Sequence, residues 1–505
     1  MQQSEDMLAK QADGENIQHQ TYFDLGENFI DKGDWDNAIL CYYKILEIDP
    51  KCGKAYNNLG LIFKILGQPG NAEAFLRKAI EIEPTCINAY YNLGFVYKKG
   101  NYLEDAEYCF RHVLDFDPDC PNANNNLGVI LAKMYRLDEA EEYYQRAIEL
   151  QPDYALAHYN LGILYKMTKR LVETEQCLKR ASELSPDNYD IDIGLAFFYL
   201  LVGQFEKGWG KYAEALRKSP ADYNAPQIRH WRGEDVRGRK IVLYFGKGLG
   251  DTLQFIRYAR QITDVAAETT LLVQKPLQRL LAANFPSLTV YAEGDVLAQD
   301  YDFACCVQYL PIIFNTVEET IPWFPYYLQP LPEDVTAWHK KLHALDGGKK
   351  YRVGIVWAGN IKNPMDQFRS IPFTTFSQLL KVEEVIWISL QLGIRPGDSN
   401  AMTDTTLLDV SPQLVDFGQT AAVIANLDLV ITMDTSVAHL AGAMGKRTWL
   451  LLDSNCDWRW HLDREDSVWY PSMRLFRQQR IGDWAEVLVR VTAALRREYL
   501  STENK

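Results

Sequence analysis

INAYYNLGFVYKKGNYLEDAEYCFRHVLDFDP, residues 87–118, decides how the first part of this chain folds. Ala89, Leu93, Val96 and Tyr97 stand three, four and seven residues apart, so they share one helix face. Ala106, Phe110, Val113 and Leu114 repeat that spacing in the second half. The small side chain of Ala106 lets two such helices approach closely. Pro118 stops the second one, because proline lacks the N–H and its ring clashes with the preceding turn. The segment predicts a pair of antiparallel helices.

The same unit recurs at a fixed interval. Pro50, Pro84, Pro118, Pro152, Pro186 and Pro220 are each 34 residues apart. Leu25, Leu59, Leu93, Leu127, Leu161 and Leu195 keep the interval, with Gly26, Gly60, Gly94, Gly128 and Gly162 following. Ala38, Ala72, Ala140, Thr174 and Gly208 occupy the position of Ala106. A period of 34 with this pattern predicts an α-solenoid of six tetratricopeptide repeats over residues 21–220. Such units stack into a superhelix whose inner groove is lined by the first helices. The rhythm stops at Pro220, although more than half of the chain remains.

Asp24, Asn58, Asn92, Asn126 and Asn160 precede the Leu-Gly pair in successive units. Asparagine is a poor residue inside a helix, so its recurrence has a cause other than propensity. Its amide both donates and accepts, and can hold a peptide backbone whatever its sequence. The alternative is that these amides face solvent or bond a neighbouring repeat. The ladder resembles that of the O-linked N-acetylglucosamine transferases, which grip extended protein substrates. By that resemblance Asn58, Asn92, Asn126 and Asn160 would line a groove for a protein or peptide acceptor.

At 505 residues, with 47% hydrophobic and 24% charged side chains, the chain suits a soluble protein of about three domains. A formal net charge of −14 argues against general nucleic-acid or anionic-membrane binding. Residues 1–20 are polar and show no signal peptide, and the longest apolar run, Leu195 to Val202, is too short to span a bilayer. Nine cysteines without a C-x-x-C suit a reducing, cytoplasmic setting. Cys305 and Cys306 are expected to be buried small hydrophobes.

Residues 221–238, with Pro226, Gly233 and Gly238, have a linker composition in which Trp231 is a packing anchor. Lys240 to Phe245 is a short apolar run of the kind found in buried parallel strands. A glycine-rich turn, Gly246 to Gly250, follows, then Asp251 and a helical pattern over Thr252 to Ile262. That order opens a doubly wound α/β domain. Further strands are expected at Thr270–Val273, Leu288–Tyr291 and Tyr301–Cys305. A second start comes after Gly347-Gly348-Lys349, with strands at Tyr351–Trp357, Val385–Leu390, Leu427–Met433 and Arg447–Leu452. The division is two Rossmann-like halves, residues 239–345 and 350–480, and a closing helix within 481–505, an arrangement expected to be GT-B-like.

The stretch Asp434 to Ala443, DTSVAHLAGA, follows an expected strand and opens a helix. Small residues at Thr435 and Ser436 leave the first backbone N–H groups accessible, and with the positive end of the helix dipole they form an anion site. Asp434 lies at the strand's carboxyl end, where ligands of such folds bind. Arg369, with Lys362 behind it, is the candidate cation. His439 is expected to orient the loop by a hydrogen bond. Trp458, Trp460, Trp469 and Tyr470 either stack on a ligand or pack in the core. Asp115-x-Asp117 and Asp190-x-Asp192 mimic a metal-binding pattern but fall within the repeats, as solvated helix-end charges.

The Asp434 stretch is similar to the Asp-Thr-Gly-x-x-His-Leu-Ala-Ala motif of the glycosyltransferase family nine heptosyltransferases, with Ser436 where that family has glycine. Gly248-Leu249-Gly250-Asp251 resembles that family's Gly-Asp loop. Trp357 to Asn360, Asp457 to Trp460 and Arg474 to Gln478 also fit the group. The resemblance covers roughly residues 240–480 and, with the repeats, suggests bacterial proteins that join the two modules. It implies a hexosyl- or heptosyltransferase-like enzyme, with the acceptor side in residues 239–345 and the nucleotide-sugar side in 350–480. Asp251 would be the general base, supported by Gly248 and Gly250. Asp434 would hold sugar hydroxyls, and the amides of Thr435, Ser436, Val437 and Ala438 the donor diphosphate. Inverting transfer needs a carboxylate beside the nucleophile and stabilisation of the leaving diphosphate. No metal and no cofactor beyond the nucleotide-sugar donor are then required. The alternative for an aspartate at 251 is a helix N-cap.

Three functions remain open on this basis. The first is a glycosyltransferase acting on a protein or peptide recruited by the repeats. The second is a non-catalytic scaffold with a degenerate transferase-like domain. The third is a heptosyltransferase with a glycan or lipid-linked acceptor.

Overall fold

The computed structural model describes residues 18–218 and 226–503, apart from 247, 298–299, 323, 347–350, 362–365, 384, 396 and 403–404. Pro220, Lys362, residues 221–225 and the Gly347-Gly348-Lys349 bridge therefore lie outside the described residues. The chain divides into two compact units, Met1–Leu184 and Ser185–Lys505.

The first unit is a solenoid of helix pairs. Helix α1 covers residues 18–31. It is followed by α2 (Trp35–Ile48), α3 (Gly53–Ile65), α4 (Pro69–Ile82), α5 (Ile87–Gly100), α6 (Leu103–Phe116), α7 (Pro121–Lys133), α8 (Leu137–Leu150), α9 (Ala155–Met167) and α10 (Leu171–Leu184). The periodic prolines act one residue ahead of themselves. Asp49, Glu83, Asp117 and Gln151, each just before a proline, leave the helical region with φ between −128° and −139°. Ala38, Ala72, Ala106 and Ala140 are fully buried at the helix contacts. A Cβ on Gly60 would meet Leu76 Cγ at 2.5 Å, which is why the residue after the periodic leucine has no side chain.

A second beat of 34 lies in the turn between paired helices. Gly33, Gly67, Asn101, Tyr135, Lys169 and Gly203 all have φ between 60° and 77°. Glycine enters that left-handed region freely, whereas Tyr135 and Lys169 do so against their Cβ.

The second unit begins with a further helix pair, α11 (Tyr189–Leu201) and α12 (Phe205–Lys218). By sequence this pair is the sixth repeat. In the structure its apolar face joins the α/β core: Leu200, Phe205, Trp209 and Tyr212 are buried in one cluster with Trp231, Ile241 and Trp458. Trp209 Nε1 donates to the Thr316 carbonyl at 2.7 Å. These large side chains bury their apolar area against the sheet-forming elements.

Two parallel sheets follow. The first contains β1 (Lys240–Tyr244), β2 (Glu268–Val273), β3 (Thr289–Ala292) and β4 (Phe303–Cys306), in spatial order β3-β2-β1-β4. The second contains β5 (Tyr351–Val356), β6 (Val385–Ser389), β7 (Leu408–Asp409), β8 (Leu429–Met433), β9 (Thr448–Leu452) and β10 (Met473–Arg477), in order β10-β9-β8-β5-β6-β7. Numbered within its own half, each sheet has the Rossmann order, in which the direction of winding reverses beside the first strand. Registers such as Leu243↔Leu271 and Ile355↔Ile431 stack buried residues on strands covered on both faces. Cys305 and Cys306 are buried in β4 and form no disulfide.

Some elements differ from expectation. The helix expected over Thr252–Ile262 starts earlier, as α13 (Leu249–Phe255), then tightens to a 3₁₀ turn at Ile256–Tyr258 and resumes at Ala259–Thr263. Strand β7 has only two residues, too short for an alternation to register. The last helix is Trp484–Glu503. Among the described residues no helix is long and apolar enough to cross a membrane.

Candidate active site

In the first sheet the winding reverses between β1 and β4, and the chain leaving each strand supplies one polar side chain. Asp251 follows β1 and Gln308 follows β4, and Gln308 Nε2 donates to Asp251 Oδ2 at 2.7 Å. The N-cap of α13 is Gly248, and Asp251 is the third residue of the helix. The N-cap expectation is thereby corrected: Asp251 reaches back to the backbone N–H of Gly248 from inside the first turn. The glycines of the loop make room for this. A Cβ on Gly246 would lie 2.4 Å from Gln308 Oε1, on Gly248 2.8 Å from Asp251 Oδ2, and on Gly250 2.7 Å from His439 Cδ2.

In the second sheet the reversal lies between β5 and β8. Asp434 follows β8 directly, Thr435 is the N-cap, and the helix Ser436–Ala443 carries Val437, Ala438 and His439 in its first turns. The Ala438 N–H closes that turn on the Thr435 carbonyl at 3.0 Å, so it is not among the amides left facing outward. The next two amides toward the N-terminus, of Ser436 and Val437, have no partner within a helix that begins there. His439 hydrogen-bonds the Tyr470 hydroxyl through Nδ1 at 2.8 Å, and its Nε2 lies 3.9 Å from Asp434 Oδ1. Burial and the cations Arg459, Arg257 and Arg369 hold its imidazole neutral, well below the ordinary histidine pKa.

Arg459, on the chain between β9 and β10, joins the two halves of the site. Its Nη2 is 2.6 Å from Asp251 Oδ1, its Nη1 is 2.8 Å from Asp457 Oδ1, and its Nε donates to Gln254 Oε1. Burial opposes its charge, but Asp457 and Asp251 more than compensate. The carboxylates respond in the opposite direction. Asp434 is pushed up to about 6, first by burial and then by Asp457, against the pull of Arg369 and Arg459. Burial likewise raises Asp251, with Arg459 and Gln308 opposing. Burial thus overrides the lowering expected of a helix N-terminus.

Arg369, expected as the cation, is close enough to Asp434 to lower its pKa. Arg369 comes from the segment after β5, where Gly359 N–H donates to Ser370 Oγ at 3.0 Å and Ser370 donates to Asp366 at 2.9 Å. Lys362 lies outside the described residues. Trp458, Trp460, Trp469 and Tyr470 are all at most 4% exposed, which favours packing over stacking on a ligand. Trp458 packs edge-on to Trp209 at 5.3 Å between ring centroids. Asp115 and Asp117 are exposed, as expected of helix-end charges. Asp192 is not: it is fully buried and paired with Lys218 at 2.6 Å, because it lies on the face of α11 that the core covers.

The asparagine ladder is bonded within the solenoid. Asn92 Nδ2 donates to Asn57 Oδ1 at 3.1 Å, Asn160 Nδ2 to Asn125 Oδ1 at 2.9 Å, and Asn126 Nδ2 to the Tyr91 hydroxyl at 3.2 Å. Asn58 Oδ1 accepts from Asn57 Nδ2 at 3.1 Å. The bonds of Asn92, Asn126 and Asn160 join neighbouring repeats, and that of Asn58 stays within its own helix. The side chains that sequence reasoning did not single out are Arg459, Gln308 and Gln254. Arg459 sat within the Asp457–Trp460 segment without a role, and nothing local marks the two glutamines.

The described fold and site define a class: a repeat solenoid followed by an α/β unit of two Rossmann-like halves with an acidic, arginine-bridged centre. Tetratricopeptide repeats are matched at residues 19–52, 53–86, 87–120 and 119–187. Residues 399–451, which include Asp434 and the helix after it, match glycosyltransferase family 9 (heptosyltransferase). The chain therefore carries tetratricopeptide repeats ahead of a segment similar to glycosyltransferase family 9. It is 28% identical over 324 residues to Protein FlbA of Caulobacter vibrioides, covering 59% of this chain and 53% of that protein. It thus spans about half the length of that relative. Among solved structures it is similar to MamA (26% identity, TM-score 0.30, covering 32% of this chain and 95% of that one). It is also similar to Pseudomonas aeruginosa pilF (19% identity, TM-score 0.36, covering 40% and 90%).

Proposed function

We propose that the second unit is an inverting glycosyltransferase, acting from a nucleotide-diphosphate sugar on a protein or peptide recruited by the repeats. The observation that carries this reading is the contact of Asp251, from one Rossmann half, with Arg459 from the other, whose charge also acts on Asp434. In the proposed step the acceptor hydroxyl oxygen bonds to the anomeric carbon as the bond from that carbon to the diphosphate breaks. Asp251 takes the hydroxyl proton. Its raised pKa makes it a stronger base than an exposed aspartate, while Arg459 keeps it ionised. The charge arriving on the diphosphate is met by the Ser436 and Val437 amides and by Arg369, with no metal or cofactor in the step. Asp434 holds donor sugar hydroxyls, and His439 fixes the loop through Tyr470.

The test is calorimetric titration with ADP, GDP, UDP, dTDP and CMP in turn. Saturable binding of one nucleotide, lost in Arg369→Ala, supports the donor site. With that donor, Asp251→Asn should lower transfer about 10²–10⁴-fold at unchanged nucleotide affinity; equal loss of both removes the base assignment. The scaffold reading has one observation in its favour, since both Asp251 oxygens already accept hydrogen bonds. Folded protein that binds none of the five nucleotides would favour it.

A further inference from the structure

The charge of the solenoid is sorted by helix. Helices α3, α5, α7 and α9, each the first of its pair, contain no aspartate or glutamate, unlike α1 with Asp24, Glu27 and Asp31, although the chain as a whole carries a net charge of −14. The second helices hold the acids, and there the cations are neutralised: Arg77 by Glu73, Arg111 by Glu107, Arg136 by Glu107 and Glu139, and Arg170 by Glu141 and Glu173. On α3, α5 and α7 three half-buried lysines, Lys64, Lys98 and Lys133, stand in a row. Lys64 Nζ donates to Asn92 Oδ1 at 2.7 Å, and Lys98 Nζ donates to Asn126 Oδ1. Both ammoniums flank the Phe95 ring, at 5.2 and 4.4 Å from its centroid. Lys133 is close enough to Lys98 for their charges to interact. Among the described residues no ion pair joins any of the three to a carboxylate.

From this sorting we infer that the wall of α3, α5 and α7 is a docking surface for an acidic, extended peptide segment, whose carboxylates pair with Lys64, Lys98 and Lys133. The asparagine amides do not grip the ligand themselves. Asn92 and Asn126 are tied to the preceding repeat and hold the Lys64 and Lys98 ammoniums in place, which lowers the ordering cost of binding. Partly desolvated like charges with no counterion are unfavourable until an anion arrives. Accordingly Lys98 is pushed down to about 8 by burial and by Lys133 and Lys64. The acids of the second helices repel a uniform polyanion such as a nucleic acid, whereas a peptide can confine its carboxylates to the lysine row. This inference rests on the reading of the repeats as the acceptor groove and names the chemistry of the segment they take.

The test uses the full chain without nucleotide, so its outcome is independent of the donor site. Fluorescence anisotropy compares labelled peptides of about 12 residues, alternating Glu-Ser or Gln-Ser, with an oligothymidylate of similar length, at low and high salt. The Glu-Ser peptide is expected to bind at least about 10-fold more tightly than Gln-Ser, an advantage that high salt removes. The variant Lys64→Gln/Lys98→Gln/Lys133→Gln should lose that advantage and Lys98→Arg should keep it. Equal affinity of the two peptides for the unmodified protein overturns the inference without recourse to a variant. So does a folded triple variant that binds as before, or oligothymidylate binding more tightly than Glu-Ser.

Discussion

The guanidinium of Arg459 lies 2.6 Å from the carboxylate of Asp251, a contact between residues 208 positions apart in the chain. It sets two opposed charges in a nearly closed site, with Asp457 on the other arm of the same fork. A planar fork holds two carboxylates at once in fixed directions, which the rotatable ammonium of a lysine does not.

Arg459→Met should therefore destabilise the second unit by about 3–5 kcal/mol, because it leaves Asp251 and Asp457 partly buried without a counter-charge. Adding Asp251→Asn should recover part of the loss, with a coupling of roughly 1–3 kcal/mol in a double-mutant cycle by denaturant unfolding. Strict additivity of the two changes would remove the pair from the account.

Asp434 gives stability a pH dependence of definite sign. Its native pKa of about 6 exceeds the unfolded value of about 3.9, so between them the native state keeps a proton that the unfolded chain has released. Its contribution is therefore complete below about pH 4 and declines as pH rises to 6, by roughly 3 kcal/mol in total. Urea unfolding at pH 4 and pH 7 should show Asp434→Asn gaining on the unmodified protein by that amount. A pH-independent difference between the two would contradict the assignment.

The recurrent left-handed turn offers a local test. Gly33, Gly67 and Gly203 occupy it freely, and Lys169 does not. Lys169→Gly should raise stability by roughly 0.5–1 kcal/mol, as relief of the strained backbone exceeds the entropy of the new glycine. Thermal unfolding of the two proteins decides this, and a lower midpoint for the variant would be the contrary result.

The division between the units makes a prediction about truncation. A fragment of residues 185–505 retains α11 and α12 and should unfold cooperatively on heating. A fragment of residues 221–505 leaves Thr316 O and Trp458 without Trp209, and exposes the face that Leu200, Phe205 and Tyr212 cover. It should aggregate or bind a hydrophobic dye. Comparable melting of both fragments would show that the sixth pair is not part of that core.

Much of this was legible in the residues themselves. The 34-residue period marks every helix pair, because packing of identical neighbours demands identical contacts at identical intervals. Most strands of the two halves, though not the two-residue β7, were visible in the sequence, and Asp251 and Asp434 as acids just past strand ends. What was hidden has a common cause. Arg459, Gln308 and Gln254 meet the site through partners distant in sequence, and no local pattern marks a side chain whose partner is 57 or 205 positions away. The asparagines were visible as a series, but their spacing could not tell a bond to the next repeat from an open amide. The affiliation of α11 and α12 was concealed because they keep the repeat's signature while burying Trp209 and Tyr212 elsewhere.

The ladder bonds have a consequence for how such a chain can change in length. Each links a residue to another 35 positions on, as in Asn57 to Asn92, Tyr91 to Asn126 and Asn125 to Asn160. A duplicated block of 34 residues would arrive with its own junction already complete, and a deleted one would leave its neighbours still matched. The array can therefore lengthen or shorten by whole steps at little structural penalty. What would alter is the span of charge it offers, like a ruler gaining or losing divisions.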